Sequence, residues 1–339
     1  MKKKSPGFLD LLETFFTDYM PYSAGLSVNT LKNYRCTVRL LMEYLYAEKG
    51  IGSDDITFKT LDFDAVNGFL NWTERERGCG IATRNQRLTA LSSFAAYAQN
   101  RSLDAALFSN IIDKIPVKTQ AASPRTIFTL EEVAILLELP DKSTEIGLRD
   151  CVLLNMMYAS GARAQEVCDL TVRGVHFLND STKLTLTGKN QKTRRINIAQ
   201  PCGILLEQYL ARRVISKQLE CHVFSSQTHE HMTTACIKEI FKKYIKIAKD
   251  RNPMLFRESK YTPHSMRHTT ATHMLEAGIP LMAIKNFLGH ASIHTTERYA
   301  ALTQATVSNY IREWNSKWFP QTVIIPEKPH GNRIPEYLR

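Results

Sequence analysis

Four residues in the last third of this chain have the types and the order needed to break and rejoin a phosphodiester bond. They are His264, Arg267, His290 and Tyr299, and they lie within a segment of 38 residues. A tyrosyl oxygen that attacks a phosphodiester creates extra negative charge on the nonbridging oxygens, and fixed cations or hydrogen-bond donors must stabilise that charge. Arginine suits this task because its planar guanidinium binds two phosphate oxygens at once. The pattern predicts transfer of a DNA strand to a tyrosine.

The local sequence indicates which elements position these side chains. Thr262 is predicted as the N-cap of a helix and Pro263 as its first residue. His264 and Arg267 are three residues apart, so they should project from the same helical face. Gly289 should end the next helix, and a further short helix should carry the tyrosine.

This C-terminal pattern resembles that of the tyrosine recombinase (phage integrase) family, in which His-x-x-Arg, Leu-Gly-His and a tyrosine follow one another. Upstream, Arg163 follows a turn at Gly161 and resembles the first arginine of that family, which binds the scissile phosphate. Glu166 would orient Arg163 or another group of the site, and a salt bridge within the helix is the alternative.

The segment 188–194 resembles the β-hairpin of the same family, whose first lysine donates a proton to the leaving oxygen. By that resemblance Lys189 is the proton donor, with Lys192 as its rival because both residues precede the same strand. Three positions depart from the common family pattern, namely Asn190 for Gly, Asn197 for Pro and Met266 for Leu. Because Asn tolerates the left-handed turn, the departure at position 190 bears only on the hairpin geometry.

Apolar residues at helical spacing predict helices over 8–19, 30–46, 63–71 and 83–99. Residues 1–115 are therefore expected to form a helical domain, and the resemblance implies a core-type DNA-binding domain that grips one side of the DNA. A polar, proline-flanked linker should follow at 116–126.

The catalytic domain is expected at 127–319. Thr129 and Glu132 predict a capping box at its first helix. Strand-like runs at 174–178, 183–187 and 195–198 predict a small antiparallel sheet. The predicted fold class is thus mainly α with a small antiparallel β-sheet, in which a mixed α+β catalytic domain follows the helical one.

The charge balance agrees with a polyanionic partner. The formal net charge is +11, with 15 Lys and Arg against 13 Asp and Glu in residues 1–120 and 29 against 20 in the remainder. A surplus of this size also occurs in ordinary soluble proteins, so charge alone does not decide the function.

Seven cysteines without a C-x-x-C pair indicate reduced thiols. No apolar run reaches about 18 residues, and no signal-peptide core follows the first lysines. The protein is therefore expected in the cytoplasm, associated with the nucleoid, and away from membranes.

Five histidines within 31 residues raise the alternative of a metal site. His264 and His268 have the spacing of zinc ligands on a helix, but no acidic ligand is suitably placed and Arg267 would lie beside the cation. We expect neither a metal nor another cofactor.

The resemblance implies a site-specific recombinase that acts through a 3′-phosphotyrosyl intermediate, with Tyr299 as the nucleophile. Four side chains would hold the phosphate oxygens: Arg163, His264, Arg267 and His290. Four protomers would assemble on double-stranded DNA with inverted-repeat core sites, with DNA-bending accessory proteins as further candidate partners. The segment 320–339 would form a tail that docks on a neighbouring protomer or packs back on its own domain.

Two alternatives remain open at this point. One is a type IB topoisomerase-like enzyme that nicks and closes DNA as a monomer, and the other is a non-catalytic DNA-binding accessory protein. The order of the domains and the Leu-Gly-His motif favour recombination over the first alternative, and the presence of all six catalytic-type residues argues against the second. The DNA target, and the choice among chromosome-dimer resolution, phage integration and transposition, stay undetermined.

Overall fold

The computed structural model describes residues 6–119, 125–188 and 192–289. The chain divides into two compact units, one up to Ser123 and one from Pro124 onward, and each has its own hydrophobic core. The functions and limits assigned to the domains above stay predictions. Within the described ranges, no helix is both long and apolar enough to cross a membrane.

The first unit consists of helices. They are α1 (Phe8–Thr14), α2 (Val28–Lys49), α3 (Phe63–Arg75), α4 (Ile81–Ala98) and α5 (Leu103–Asp113). A π-helical segment, Phe15–Ser23, continues directly from α1, where the sequence predicts one regular helix to residue 19. This segment contains Pro21, which lacks an amide hydrogen and so cannot sustain the regular α-helical ladder.

The core of the first unit is aromatic. The Phe94 ring makes an edge-to-face contact with Phe8 at 5.5 Å between centroids and stacks near Phe58 at 6.3 Å. Arg84 is also fully buried, and it donates a hydrogen bond of 3.0 Å to the carbonyl of Pro116. This bond fixes the polypeptide that leaves α5 against α4.

The second unit surrounds a small sheet with helices. Its helices are α6 (Leu130–Glu138), α7 (Glu145–Ser160), α8 (Ala164–Cys168), α9 (Gln200–Arg212), α10 (Thr234–Arg251), α11 (Pro263–Glu276) and α12 (Leu281–Leu288). Its strands are β1 (Val175–Phe177), β2 (Ser181–Thr187) and β3 (Thr193–Ala199), paired antiparallel in the order β1-β2-β3. The predicted fold class, mainly α with a small antiparallel sheet, is confirmed.

The pairing of β2 with β3 follows the alternation of apolar residues. Leu184 pairs with Ile196, and both side chains are buried because they lie on the same face of the sheet. Gly188 donates its amide to the Lys192 carbonyl at 2.8 Å, which closes the hairpin at its base.

Two residues fasten the start of the second unit to elements far along the chain. The buried Glu132 carboxylate accepts hydrogen bonds from the Thr129 amide at 2.9 Å, the Phe256 amide at 2.6 Å and the Tyr261 hydroxyl at 3.1 Å. The amide of Phe128 donates to the Thr269 hydroxyl at 2.9 Å. These bonds hold the start of α6 against the loop before α11, and Phe128 against α11 itself.

Candidate active site

A buried carboxylate lies at the centre of the candidate site. Glu166 is 2% exposed, and its Oε1 accepts a hydrogen bond of 2.6 Å from Nη1 of Arg163. Its Oε2 accepts bonds of 3.0 Å from the Arg163 amide and from Nη2 of Arg194, and Nη1 of Arg267 lies 3.9 Å away. Three guanidinium groups therefore surround one carboxylate.

The turn between α7 and α8 puts Arg163 in this position. Gly161 ends α7 with a left-handed backbone (φ 55°), and Arg163 is the extended N-cap of α8. A Cβ atom on Gly161 would lie only 2.6 Å from Cδ2 of Leu288, so glycine is required both for the conformation and for the close approach of α12. The Arg163 side chain stays 40% exposed, which leaves part of its guanidinium accessible to a ligand.

Arg267 lies on α11 and is buried, with 1% exposure. Its two terminal nitrogens donate to the carbonyls of Gly161 and Leu288, both at 2.5 Å. The sequence predicts His264 and Arg267 as two side chains presented on one helical face. In the structure the arginine lies inside the protein, whereas His264 is exposed.

Arg194 joins the same cluster from β3. Its side chain is 11% exposed and donates to the Phe287 carbonyl, and more weakly to the Ser160 carbonyl at 3.5 Å. The sequence motifs predict no role for Arg194. A signal was present, because Arg194 falls on the same face of β3 as the buried Ile196 and Ile198, where a charged side chain needs a buried partner.

The positive charges of the cluster change the pKa of Glu166. Burial by itself would raise the pKa of the Glu166 carboxyl, but the Arg194 charge, the hydrogen bonds from Arg163 and Arg194, and the Arg267 charge together hold that pKa below its usual value. Glu166 therefore stays ionised and keeps the arginines paired at neutral pH.

His264 lies at the solvent-exposed side of this cluster, and its ring meets the His268 ring edge to face with 4.4 Å between centroids. Partial desolvation by neighbouring protein atoms, followed by the positive charges of Arg267, Arg163 and Arg125, lowers the pKa of His264. Its imidazole is thus mainly neutral at pH 7 and can accept a proton.

Three predicted site residues, Lys189, His290 and Tyr299, lie outside the described residues. Lys192, the rival of Lys189, is exposed at the base of the hairpin. Within 6–119, 125–188 and 192–289, no three His, Cys, Asp or Glu side chains are grouped to hold a metal ion.

Comparison with known proteins identifies the class of this arrangement. The Phage integrase family matches residues 126–306, and the Phage integrase SAM-like domain matches residues 8–106. Tyrosine recombinase XerD of Listeria monocytogenes is 28% identical over 311 residues, which cover 91% of this chain and 99% of that protein.

Two solved structures share the fold. The Tn1549 transposon integrase in complex with transposon right end DNA has a TM-score of 0.66 and 17% identity, covering 90% of this chain and 98% of that one. XerH bound to a palindromic difH substrate has a TM-score of 0.65 and 20% identity, covering 88% of this chain and 82% of that one.

The chain belongs to the phage integrase family, the tyrosine recombinases. Within that family it is an enzyme of the Xer-like type, a site-specific recombinase.

Proposed function

We propose that this recombinase cleaves and rejoins DNA through a 3′-phosphotyrosyl intermediate formed on Tyr299. The observation that carries the proposal is the packing of Arg163, Arg194 and Arg267 around the single carboxylate of Glu166. Because one negative charge faces three positive ones, the cluster keeps a positive excess that suits a phosphodiester and its more negative transition state. The Arg163 side chain is partly exposed, so a phosphate can reach it from solvent.

The chemistry proceeds in balanced steps. The Tyr299 oxygen forms a bond to the scissile phosphorus while the bond from phosphorus to the 5′ oxygen breaks. Lys189, or its rival Lys192, gives a proton to the leaving oxygen, and His264 is the candidate acceptor of the tyrosine proton. The lowered pKa of His264 supports this role because a neutral imidazole is needed to accept a proton.

Rejoining reverses these steps with a 5′ hydroxyl from the partner strand. The bond energy is kept in the phosphotyrosyl link, so neither ATP nor a metal is needed to reseal the DNA. Arg163, Arg267, His264 and His290 would hold the nonbridging oxygens in both directions. Glu166 would act indirectly, by fixing the arginines.

The partner we propose is double-stranded DNA with inverted-repeat core sites, bound by a helical core-type domain (1–115) and by a catalytic domain (127–319) that the 116–126 linker joins. Both solved relatives described above were captured with DNA, which supports this partner. Four protomers would act together, since two strands are exchanged in each of two duplexes. Such an enzyme would act in the cytoplasm, at the nucleoid, and transposition of a mobile element is one of its candidate roles.

The deciding experiment uses supercoiled DNA that carries the genomic region around the gene. Wild-type protein should form a protein–DNA adduct that survives denaturation, and Tyr299→Phe should form none. Tyr46→Phe is the matched control, because Tyr46 is 72% exposed and belongs to the first unit. Tight binding by wild type without an adduct would instead indicate an accessory DNA-binding protein.

The same DNA separates recombination from simple relaxation. A recombinase should yield exchanged products between two sites, whereas a type IB topoisomerase-like enzyme would change only the supercoiling. If the segment 320–339 docks on a neighbouring protomer, deletion from Pro320 onward should reduce assembly and cleavage together while binding to a single site persists. Full activity of the truncated chain would contradict that docking.

A further inference from the structure

Arg194 links three elements of the second unit at the base of the β2–β3 hairpin. From β3 it donates to the Glu166 carboxylate on α8 at 3.0 Å, to the Phe287 carbonyl in the last turn of α12, and to the Ser160 carbonyl at the end of α7. It lies two residues after Lys192 and six after Gly188, the pair whose hydrogen bond closes the hairpin. Arg194 thus attaches the hairpin to the cluster around Glu166, which the base of the hairpin also approaches at Gly188.

An arginine is needed here for a geometric reason. The acceptors belong to three different elements, and only a planar group with several fixed N–H donors reaches them together. A lysine would keep the charge but present a single nitrogen, and it would leave some of these acceptors without a donor. The two cations at the end of α12, Arg194 and Arg267, also face the negative end of that helix dipole.

The side chain also packs under the turn that follows α12. Gly289 has a left-handed backbone (φ 66°), and a Cβ atom there would lie 2.7 Å from Cδ of Arg194. The arginine stem therefore fills the space directly beneath the residue that precedes His290. Movement of Arg194 would disturb the base of the hairpin and the end of α12 together.

We propose that Arg194 is a positioning residue that holds the lysine-bearing hairpin in register with the phosphate-binding arginines. It touches neither the phosphate nor the leaving oxygen. Its function is to keep the proton donor and the cations aligned on the same phosphodiester, and this inference rests on the proposed function.

A sulfur-substituted substrate tests the alignment. In ordinary DNA the bond from phosphorus to the 5′ oxygen breaks and the oxygen takes a proton from the lysine. With sulfur at the 5′ bridging position, the bond from phosphorus to sulfur breaks and the thiolate leaves without a proton, since thiols have a pKa of about 8.5. A defect in the proton donor is therefore relieved by sulfur, whereas a defect in the arginines is not.

The substrates are oligonucleotide duplexes of the cleavage site mapped by the adduct experiment, with oxygen or sulfur at the bridging position. Single-turnover cleavage of the oxygen substrate by Arg194→Met should fall by about 100-fold or more, in line with the loss of general acid catalysis. On the sulfur substrate, the cleavage rate of Arg194→Met should be within about tenfold of the wild-type rate. The variant of the proton-donating lysine should show the same rescue. Arg194→Lys should behave like Arg194→Met, because the single nitrogen of lysine cannot replace the several donors of the guanidinium group.

Arg195→Met is the matched control, because Arg195 is the next residue on β3 and its side chain is exposed. It should cleave both substrates at the wild-type rate when the enzyme is saturating. An equal loss on both substrates by Arg194→Met, or no loss, would overturn the proposal. If wild type forms no adduct, or if neither Lys189→Ala nor Lys192→Ala is rescued by sulfur, the proposed function itself fails.

Hydrogen exchange tests the positioning without DNA. The Gly188 amide donates to Lys192 and the Gly289 amide donates to the Asn286 carbonyl at 3.1 Å. Arg194→Met should speed exchange of both amides at least tenfold while the amides of α4, in the other unit, keep their wild-type rates. Unchanged exchange at Gly188 and Gly289 would contradict the inference whatever the cleavage assay shows.

Discussion

Arg267 and Gly161 are 106 residues apart in the sequence and are joined by a hydrogen bond of 2.5 Å from the guanidinium to the glycine carbonyl. This bond fixes the turn that precedes Arg163 from the side of α11. Since Arg267 also holds the Leu288 carbonyl, one buried side chain sets the spacing between the ends of α7 and α12. The site is therefore built from helix ends whose carbonyls are held by buried cations.

The first prediction concerns the stability of this cluster. Glu166→Gln removes the negative charge that compensates the buried Arg194 and Arg267, and loss of one partner from a buried ion pair costs about 3 to 5 kcal/mol. Urea unfolding followed by circular dichroism should show that decrease for the second unit. Glu239→Gln is the control, because the Glu239 side chain is 74% exposed and should change the free energy of unfolding by less than about 0.5 kcal/mol.

The second prediction is the pH dependence of that contribution. The pKa of Glu166 is lowered in the folded protein, so its stabilisation is fully present above the unfolded-state pKa of about 4.3 and is lost as pH falls through the lower folded-state pKa. The difference in unfolding free energy between wild type and Glu166→Gln should be constant from pH 7 to about pH 5 and should shrink below about pH 4. A difference that grows on acidification would contradict the lowered pKa.

The third prediction follows from the lowered pKa of His264. If neutral His264 accepts the tyrosine proton, the single-turnover cleavage rate at subsaturating enzyme should stay high as pH falls from neutral. The rate should decline only when the pH is below the ordinary histidine pKa of about 6.5. His264→Gln should reduce the rate by about 100-fold or more and remove that acid limb. An unchanged acid limb in His264→Gln would assign the titration to another group.

The fourth prediction separates backbone strain from packing at Gly161. Gly161→Ala puts a methyl group in the left-handed region and 2.6 Å from Leu288, so it should lower the free energy of unfolding by about 2 to 4 kcal/mol. Gly50→Ala provides the comparison, because Gly50 is also left-handed (φ 66°) but has nothing within 4 Å of the added Cβ. It should cost only about 1 kcal/mol. An equal decrease in the free energy of unfolding for the two variants would show that α12 moves away from the added methyl group at no energetic cost.

The fifth prediction concerns a hydrogen-bonded chain between α7 and α11. His273 Nε2 lies 3.0 Å from the Phe128 carbonyl and must donate to it, so Nδ1 accepts from the Tyr158 hydroxyl at 2.9 Å. Tyr158→Phe leaves Nδ1 without a donor and should cost about 1 to 2 kcal/mol of stability. Its cleavage rate under saturating conditions should stay within about threefold of wild type, since the bond serves packing. A much larger kinetic effect would give Tyr158 a role in the site.

Local patterns account for the three strands and for many of the helices. The capping box at Thr129, the proline at the start of α11 and the glycine after α12 mark helix ends that the structure confirms. Helices α5, α7 and α9 were not predicted, although in α5 the residues Ala105, Phe108 and Ile112 are buried at helical spacing.

The arrangement of the site was less accessible to sequence reasoning. A motif gives the residue types, but apart from the Glu166 carboxylate the acceptors described for Arg267 and Arg194 are backbone carbonyls of residues between 21 and 106 positions away. Carbonyls are present at every residue, so no local pattern distinguishes the ones that will be used. Both arginines are buried because the ends of separate helices pack against them, and no single segment of the sequence predicts that packing.

The bonds that fasten Phe128 to α11 can form only after α11 has been synthesised. Phe128 meets Thr269 and His273, which are 141 and 145 residues further along the chain. At about 5 to 20 residues per second, a ribosome needs about 7 to 29 seconds to make that interval. The core of the first unit ends at Ile115, so it can form well before α11 has been translated. A growing chain therefore passes through a period with one folded unit and no arginine cluster, in which the proposed cleavage of DNA cannot take place.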